Sequence, residues 1–271
     1  MPRDSIVAPV VAAGTPTAIS ELRLDAPDSA LLLVARDRDS GSTREVATPP
    51  TARPADLIIE LVDIVARLTP PDAMTWLTRE LVFDRARFAA AFAAAGRRLG
   101  RAPIGEALAA KLAAAGLPWA AGSGADECGR AALVLAALGA LDPAEHVPLV
   151  RDLLRRGEIR EREAVLRVLA GMPDPARFVE LAIDAYRSNV QSVFEALAHD
   201  NAYPARYFPD PAYFQMVLKA LFVGVPLARM IGLAERTTHE LVRMVDAYAS
   251  ERRAAGRPVP NDVALIRSPQ Q

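Results

Sequence analysis

Glu195 and His199 stand four residues apart with Asp200 next to the histidine, a spacing that puts the first two on one face of a helix. A carboxylate facing an imidazole can take up and return a proton, so the two form a candidate acid-base pair. Such pairs more often serve structure, and no nucleophile with a nearby base accompanies this one. Just beyond lies Asn201-Ala-Tyr-Pro-Ala-Arg-Tyr-Phe208, the densest polar and aromatic stretch of the chain, set between two apolar helical runs. Pro204 and Pro209 restrict its backbone and the tyrosines can bury their rings, which predicts an ordered loop where a ligand can be held. Asn189, Asp200, Asn201, Tyr203, Tyr207, Gln215 and Lys219 are the candidate binding residues. The plainer alternative is that Tyr203, Tyr207 and Phe208 plug the join between two helical hairpins. Lys219 sits in an apolar helix, where its ammonium must reach water or find a carboxylate such as Glu195 or Asp200.

Other reactive residue types give little. Cys128 is the one cysteine, so no disulfide forms within the chain and no multi-thiolate metal site is possible. It falls at the start of a helix, where the dipole favours a thiolate, although a small buried cysteine is the commoner outcome. His146 and His239 lie far from His199, and Gly122-x-Gly124 lacks the rest of a dinucleotide fingerprint. Neither metal nor cofactor is expected. The 32 Lys plus Arg balance 33 Asp plus Glu, leaving no excess of positive charge to drive binding to nucleic acid. Only Lys111 and Lys219 are lysines, a bias toward Arg that carries no functional weight by itself. No apolar run reaches the roughly 18 residues of a membrane span, and residues 1–17 lack the pattern of a secretory signal.

The elements that position these residues read as helices throughout. Asp-Pro-Ala occurs at Asp142, Asp174 and Asp210, spaced by 32 and 36 residues, each time before an apolar run of helical period. Asp can cap a helix start and Pro fits its first turn. Residues 126–141, 142–156, 159–170, 174–187 and 190–199 form five predicted helices joined by short turns, which force antiparallel neighbours. They follow a helix from residue 57 to 68, a stretch over 73–100 broken near Asp84, an Ala-rich helix over 105–115 and a flexible connection through Gly116 and Gly122-Ser-Gly124. The expected fold is all-α, antiparallel hairpins in a HEAT- or armadillo-like right-handed array, with an irregular bundle sharing caps as the alternative. Residues 1–54 read as a disordered leader, 55–263 as one helical domain and 264–271 as a flexible tail.

Three segments carry a resemblance: Phe194-Glu-Ala-Leu-Ala-His-Asp-Asn-Ala-Tyr-Pro-Ala-Arg-Tyr-Phe208, Gln215-Met-Val-Leu-Lys-Ala-Leu-Phe-Val-Gly-Val-Pro-Leu227 and Tyr248-Ala-Ser-Glu-Arg-Arg-Ala-Ala-Gly-Arg257. They resemble the EboA-domain family over roughly residues 55–263, with Ala202 where that family usually has Pro and Phe214 where it usually has Asn. The resemblance implies a cytoplasmic helical protein that supports export of a secondary-metabolite precursor. Its implied partners are other proteins of the ebo operon, including an inner-membrane component that would give it a peripheral location, and a small apolar metabolite. It implies no catalytic residue. The leading expectation is a non-catalytic adaptor or metabolite-binding protein. The alternatives are an enzyme acting on an apolar metabolite through Glu195 and His199, and a protein–protein scaffold.

Overall fold

A computed structural model describes residues 51–119 and 122–267. Most of the expected leader, residues 1–50, lies outside them. Fourteen α-helices and no strand occur among the described residues, so the fold is all-α. In α1 (Pro54–Leu68), Leu57, Leu61, Ile64 and Val65 recur at helical spacing and are fully buried. α2 (Pro71–Leu81) and α3 (Arg85–Leu99) part at Asp84, whose carboxylate accepts from the amides of Ala86 and Arg87 and caps α3. After α4 (Gly105–Ala114) comes α5 (Ala125–Ala140), buried on nearly every side because α1, α2, α3 and α7 (Ile159–Val168) pack around it. Gly129 lets α3 approach closely, since a β-carbon there would stand 2.1 Å from Leu99 Cδ1.

From α5 onward the order is regular. α6 (Pro143–Arg156) packs on α7 and on α8 (Val179–Tyr186), while α5, α7 and α9 (Gln191–Ala198) contact one another in succession. Helices therefore alternate between two rows over this stretch. α10 (Tyr203–Tyr207), α11 (Asp210–Val223), α12 (Leu233–Arg236), α13 (His239–Ala254) and α14 (Val263–Arg267) complete the chain. Buried side chains from α1 to α14 form one continuous core.

The three Asp-Pro-Ala copies each precede or open a helical segment, yet they do different work. Asp142 caps α6 through the amide of Ala144. Asp174 adopts a left-handed backbone, φ 47°, before a 3₁₀ turn and holds Arg177 with its carboxylate. Asp210 lies inside α11 and accepts from Arg236. Three local expectations are corrected. Leu117, Trp119, Ser123 and Gly124, expected in a flexible connection, are buried, and Ile104 N, Ala125 N and Asp126 N bond back across the join. Residues 264–267, expected as tail, are helical because Ile266 is buried in the core, whereas 268–271 lie outside the described residues. Residues 51–53, expected in the leader, are tied down through Ala52 N to Ala115 O.

Candidate functional site

The stretch from α9 to α11 is held from within. Asn201, 5% exposed, donates from Nδ2 to the carbonyls of Leu166 and Ala196, each at 3.0 Å, and accepts the amide of Tyr203 on Oδ1 at 3.0 Å. Tyr203 is fully buried and its hydroxyl donates to Pro175 O at 2.7 Å, while Tyr207 packs on its ring at 4.8 Å. Burial pushes both phenols above their ordinary range. The predicted loop contains α10, which starts at Tyr203 because Asn201 supplies the acceptor its first amide needs. Arg236, also buried, donates to Ala205 O, Phe208 O and Asp210, so one guanidinium satisfies the carbonyl end of α10 and fixes the start of α11. Sequence reasoning missed Arg236, which no motif marks.

Glu195 and His199 share α9 and its end but do not join. Glu195 Oε1 accepts from Gln191 Nε2 at 2.7 Å, and His199 Nε2 donates to Pro226 O at 3.0 Å. That bond fixes the proton on Nε2 and leaves Nδ1 buried without a partner. Burial, followed by the charge of Arg229, lowers the His199 pKa below its ordinary value. Asp200, in a left-handed conformation with φ 48°, pairs with Arg229 and donates its amide to Arg229 O. Lys219 pairs with neither Glu195 nor Asp200. Its Nζ donates to Tyr186 O and Ser188 O, each at 2.7 Å, above the Phe194 ring, so it caps the end of α8. Gln215 and Asn189 are exposed.

A second polar group lies at the start of α5. Asp126 is fully buried between Arg130 at 2.6 Å and Arg160 at 2.7 Å. Desolvation is the largest single influence and raises its pKa, but the two guanidiniums together outweigh it and hold the carboxyl below its usual range. Beside it Glu127 faces Arg160 at 3.3 Å and Arg167 at 3.4 Å, and burial prevails there, raising its pKa. The Arg167 contact is an ion pair without hydrogen-bond alignment, since Arg167 Nε and Glu127 Oε2 both lack a hydrogen-bond partner. Cys128, next in the helix, is fully buried and its thiol is pushed far up, chiefly by desolvation and then by Glu127. The thiolate that a helix start would favour does not form. No group of three or more His, Cys, Asp or Glu among the described residues is placed to hold a metal ion.

Concavity appears elsewhere. A cleft of about 520 Å³ opens between α6, α7, α8 and the start of α9. Arg151, Leu154 and Arg155 line it from one face of α6, Arg162 from α7, and Leu181, Asp184 and Ala185 from one face of α8, with Ser188 and Val193 at the end. Among the described residues Arg151, Arg155 and Arg162 have no carboxylate within ion-pair distance, whereas Asp184 already faces Arg187 at 3.4 Å. None of the sequence-predicted candidates lines the cleft. Lys219 comes nearest in effect, by fixing the Ser188 carbonyl behind its wall. The run from Arg151 to Arg162 holds five arginines, a signal hidden by the Arg bias of the whole chain.

These features define an all-α protein with an open cleft between α6, α7 and α8 and a cross-braced segment from α9 to α11. The family model described as "Metabolite traffic protein EboA" matches residues 59–266, most of the chain, which therefore belongs to that family. No curated protein and no solved structure matches it. No helix among the described residues is long and apolar enough to cross a membrane.

Proposed function

We propose that this chain is a non-catalytic adaptor that binds a small molecule and so supports trafficking of a secondary-metabolite precursor. The observation that carries this reading is the α6–α9 cleft, whose volume lies in the range of small-molecule sites and whose wall joins apolar side chains to free polar groups. Family membership supports the trafficking part. The bound molecule rests on Leu154, Leu181 and Val193, and Lys219 holds the Ser188 turn behind the far wall in place. The alternative enzyme loses support because Glu195 and His199 are each engaged by other groups. In this reading the protein works in the cytoplasm beside other ebo-operon proteins and reaches the inner membrane through a partner. A scaffold that binds proteins alone draws on one observation, the exposure of Phe222 and Val223 at the end of α11.

Purification from the native host, with mass spectrometry of retained small molecules and proteins, tests the reading. Ala185→Trp fills the cleft, so it should abolish retention of the small molecule while leaving the circular dichroism spectrum intact. Glu195→Gln should change neither retention nor export. Unchanged retention in the Ala185→Trp variant refutes the cleft as the binding place.

A further inference from the structure

The cleft is electrically lopsided in a chain whose total charge is nearly balanced. Arg151, Arg155 and Arg162 line it without an acidic partner among the described residues, and the one carboxylate residue of the lining, Asp184, lies against Arg187. Arg160 is drawn to Asp126 and Arg229 to Asp200, whereas the exposed Arg97, Arg98 and Arg101, like the cleft arginines, form no ion pair among the described residues. Arg162 lines the cleft with the rest of its side chain, its Nε being buried without an acceptor among the described residues. Ser188 adds a hydroxyl whose oxygen accepts from Val190 N and whose proton remains free to donate. Lys219 lies behind the same turn, its ammonium on the Ser188 carbonyl, and adds positive potential to that wall. The remaining lining, Leu154, Leu181, Ala185 and Val193, is apolar.

We propose that the cleft takes an amphiphilic anion, a phosphate ester of an apolar metabolite, with the phosphoryl oxygens on Arg151, Arg155 and Arg162 and the apolar portion along Leu154, Leu181 and Val193. This rests on the cleft being the binding place and adds the chemical class of what it binds. Three guanidiniums exceed what one carboxylate would neutralise, and planar forks match phosphoryl oxygens two at a time. The apolar floor separates this ligand from free phosphate, which has nothing to place there.

Titration calorimetry of the full chain with decyl phosphate, kept monomeric, tests the inference against decanol and inorganic phosphate. Saturable binding of decyl phosphate at least tenfold tighter than either control is expected, weakening as salt rises. Arg151→Gln with Arg162→Gln should weaken decyl phosphate at least tenfold and leave decanol unchanged, and the exposed Arg155→Gln serves as a second variant that cannot unfold the core. Equal affinity for decanol and decyl phosphate, or no effect of these substitutions, overturns the anion class. If phosphatidylglycerol vesicles compete with no monomeric ligand yet retain the protein on flotation, the arginines read a lipid surface and the inference falls. The broader reading fails separately: a neutral metabolite retained by the wild type and lost in Ala185→Trp would keep the cleft and discard the anion, whereas retention untouched by Ala185→Trp discards the cleft itself.

Discussion

Replacing Asn201 by Ala separates a structural knot from a ligand contact. The side chain makes three hydrogen bonds in the core, to Leu166 O in α7, Ala196 O in α9 and Tyr203 N at the start of α10. Truncation strands the Tyr203 amide most severely, at about 1–3 kcal/mol for a buried donor without a partner. Each carbonyl keeps a second lone pair, so its lost bond costs nearer the net value of about 0.5–1.5 kcal/mol. Together these come to about 2–6 kcal/mol, which for a chain of this size lowers Tm by about 4–24 °C. Asn201→Asp should be worse at neutral pH, because it puts an acceptor with a negative charge where two carbonyls already point. Thermal and urea unfolding followed by circular dichroism measure the loss. Below the variant's lowered Tm, cleft binding should match the wild type. Should Asn201→Ala unfold within about 0.5 kcal/mol of the wild type yet lose the bound molecule, the structural assignment is refuted.

The buried ion pairs at the start of α5 give a prediction with a pH sign. Asp126→Asn removes one partner of a buried pair and should destabilise the fold by about 3–5 kcal/mol at neutral pH. Because the native Asp126 pKa is depressed, its contribution is fully present above the unfolded value and is lost as pH falls through the folded value. The gap between wild type and variant in urea unfolding should therefore be flat from pH 5 to 8 and narrow only below about pH 4; a gap that closes near neutrality would contradict the assignment. Gly129→Ala should cost about 1–3 kcal/mol by forcing α3 and α5 apart at Leu99, and a variant as stable as the wild type would show that this contact relaxes freely.

Much of the fold was legible because helices repeat locally. Leu57, Leu61, Ile64 and Val65 reveal α1 without any partner, and Asp84 marks the break between α2 and α3 by its own capping bonds. What stayed hidden depends on groups remote in sequence. Asp126 and Glu127 look like an ordinary acidic first turn until Arg160 and Arg167 arrive from α7. Asn201 and Tyr203 have the composition of a binding loop, and only Leu166 O and Pro175 O turn them into a core joint. Tyr203 is fully buried with its hydroxyl on Pro175 O, the environment that the plainer alternative for the aromatic residues requires. The cleft was missed for the opposite reason, since Arg151, Arg155 and Arg162 resemble a solvated helix face until the lack of carboxylate partners is seen in three dimensions.

The corner and the proposed cleft are parts of one arrangement. Lys219 lies on α11, but its ammonium grips the last carbonyl of α8 and the Ser188 carbonyl in the turn to α9. Its pKa is lowered by burial, so it holds these acceptors from a half-buried position above the Phe194 ring. α11 is itself fixed at its start by Arg236, and α9 is fixed at its end by Asn201. Lys219 thus braces the turn behind the cleft, while Asn201 and Tyr203 turn inward to bond α7, α9 and the Pro175 turn.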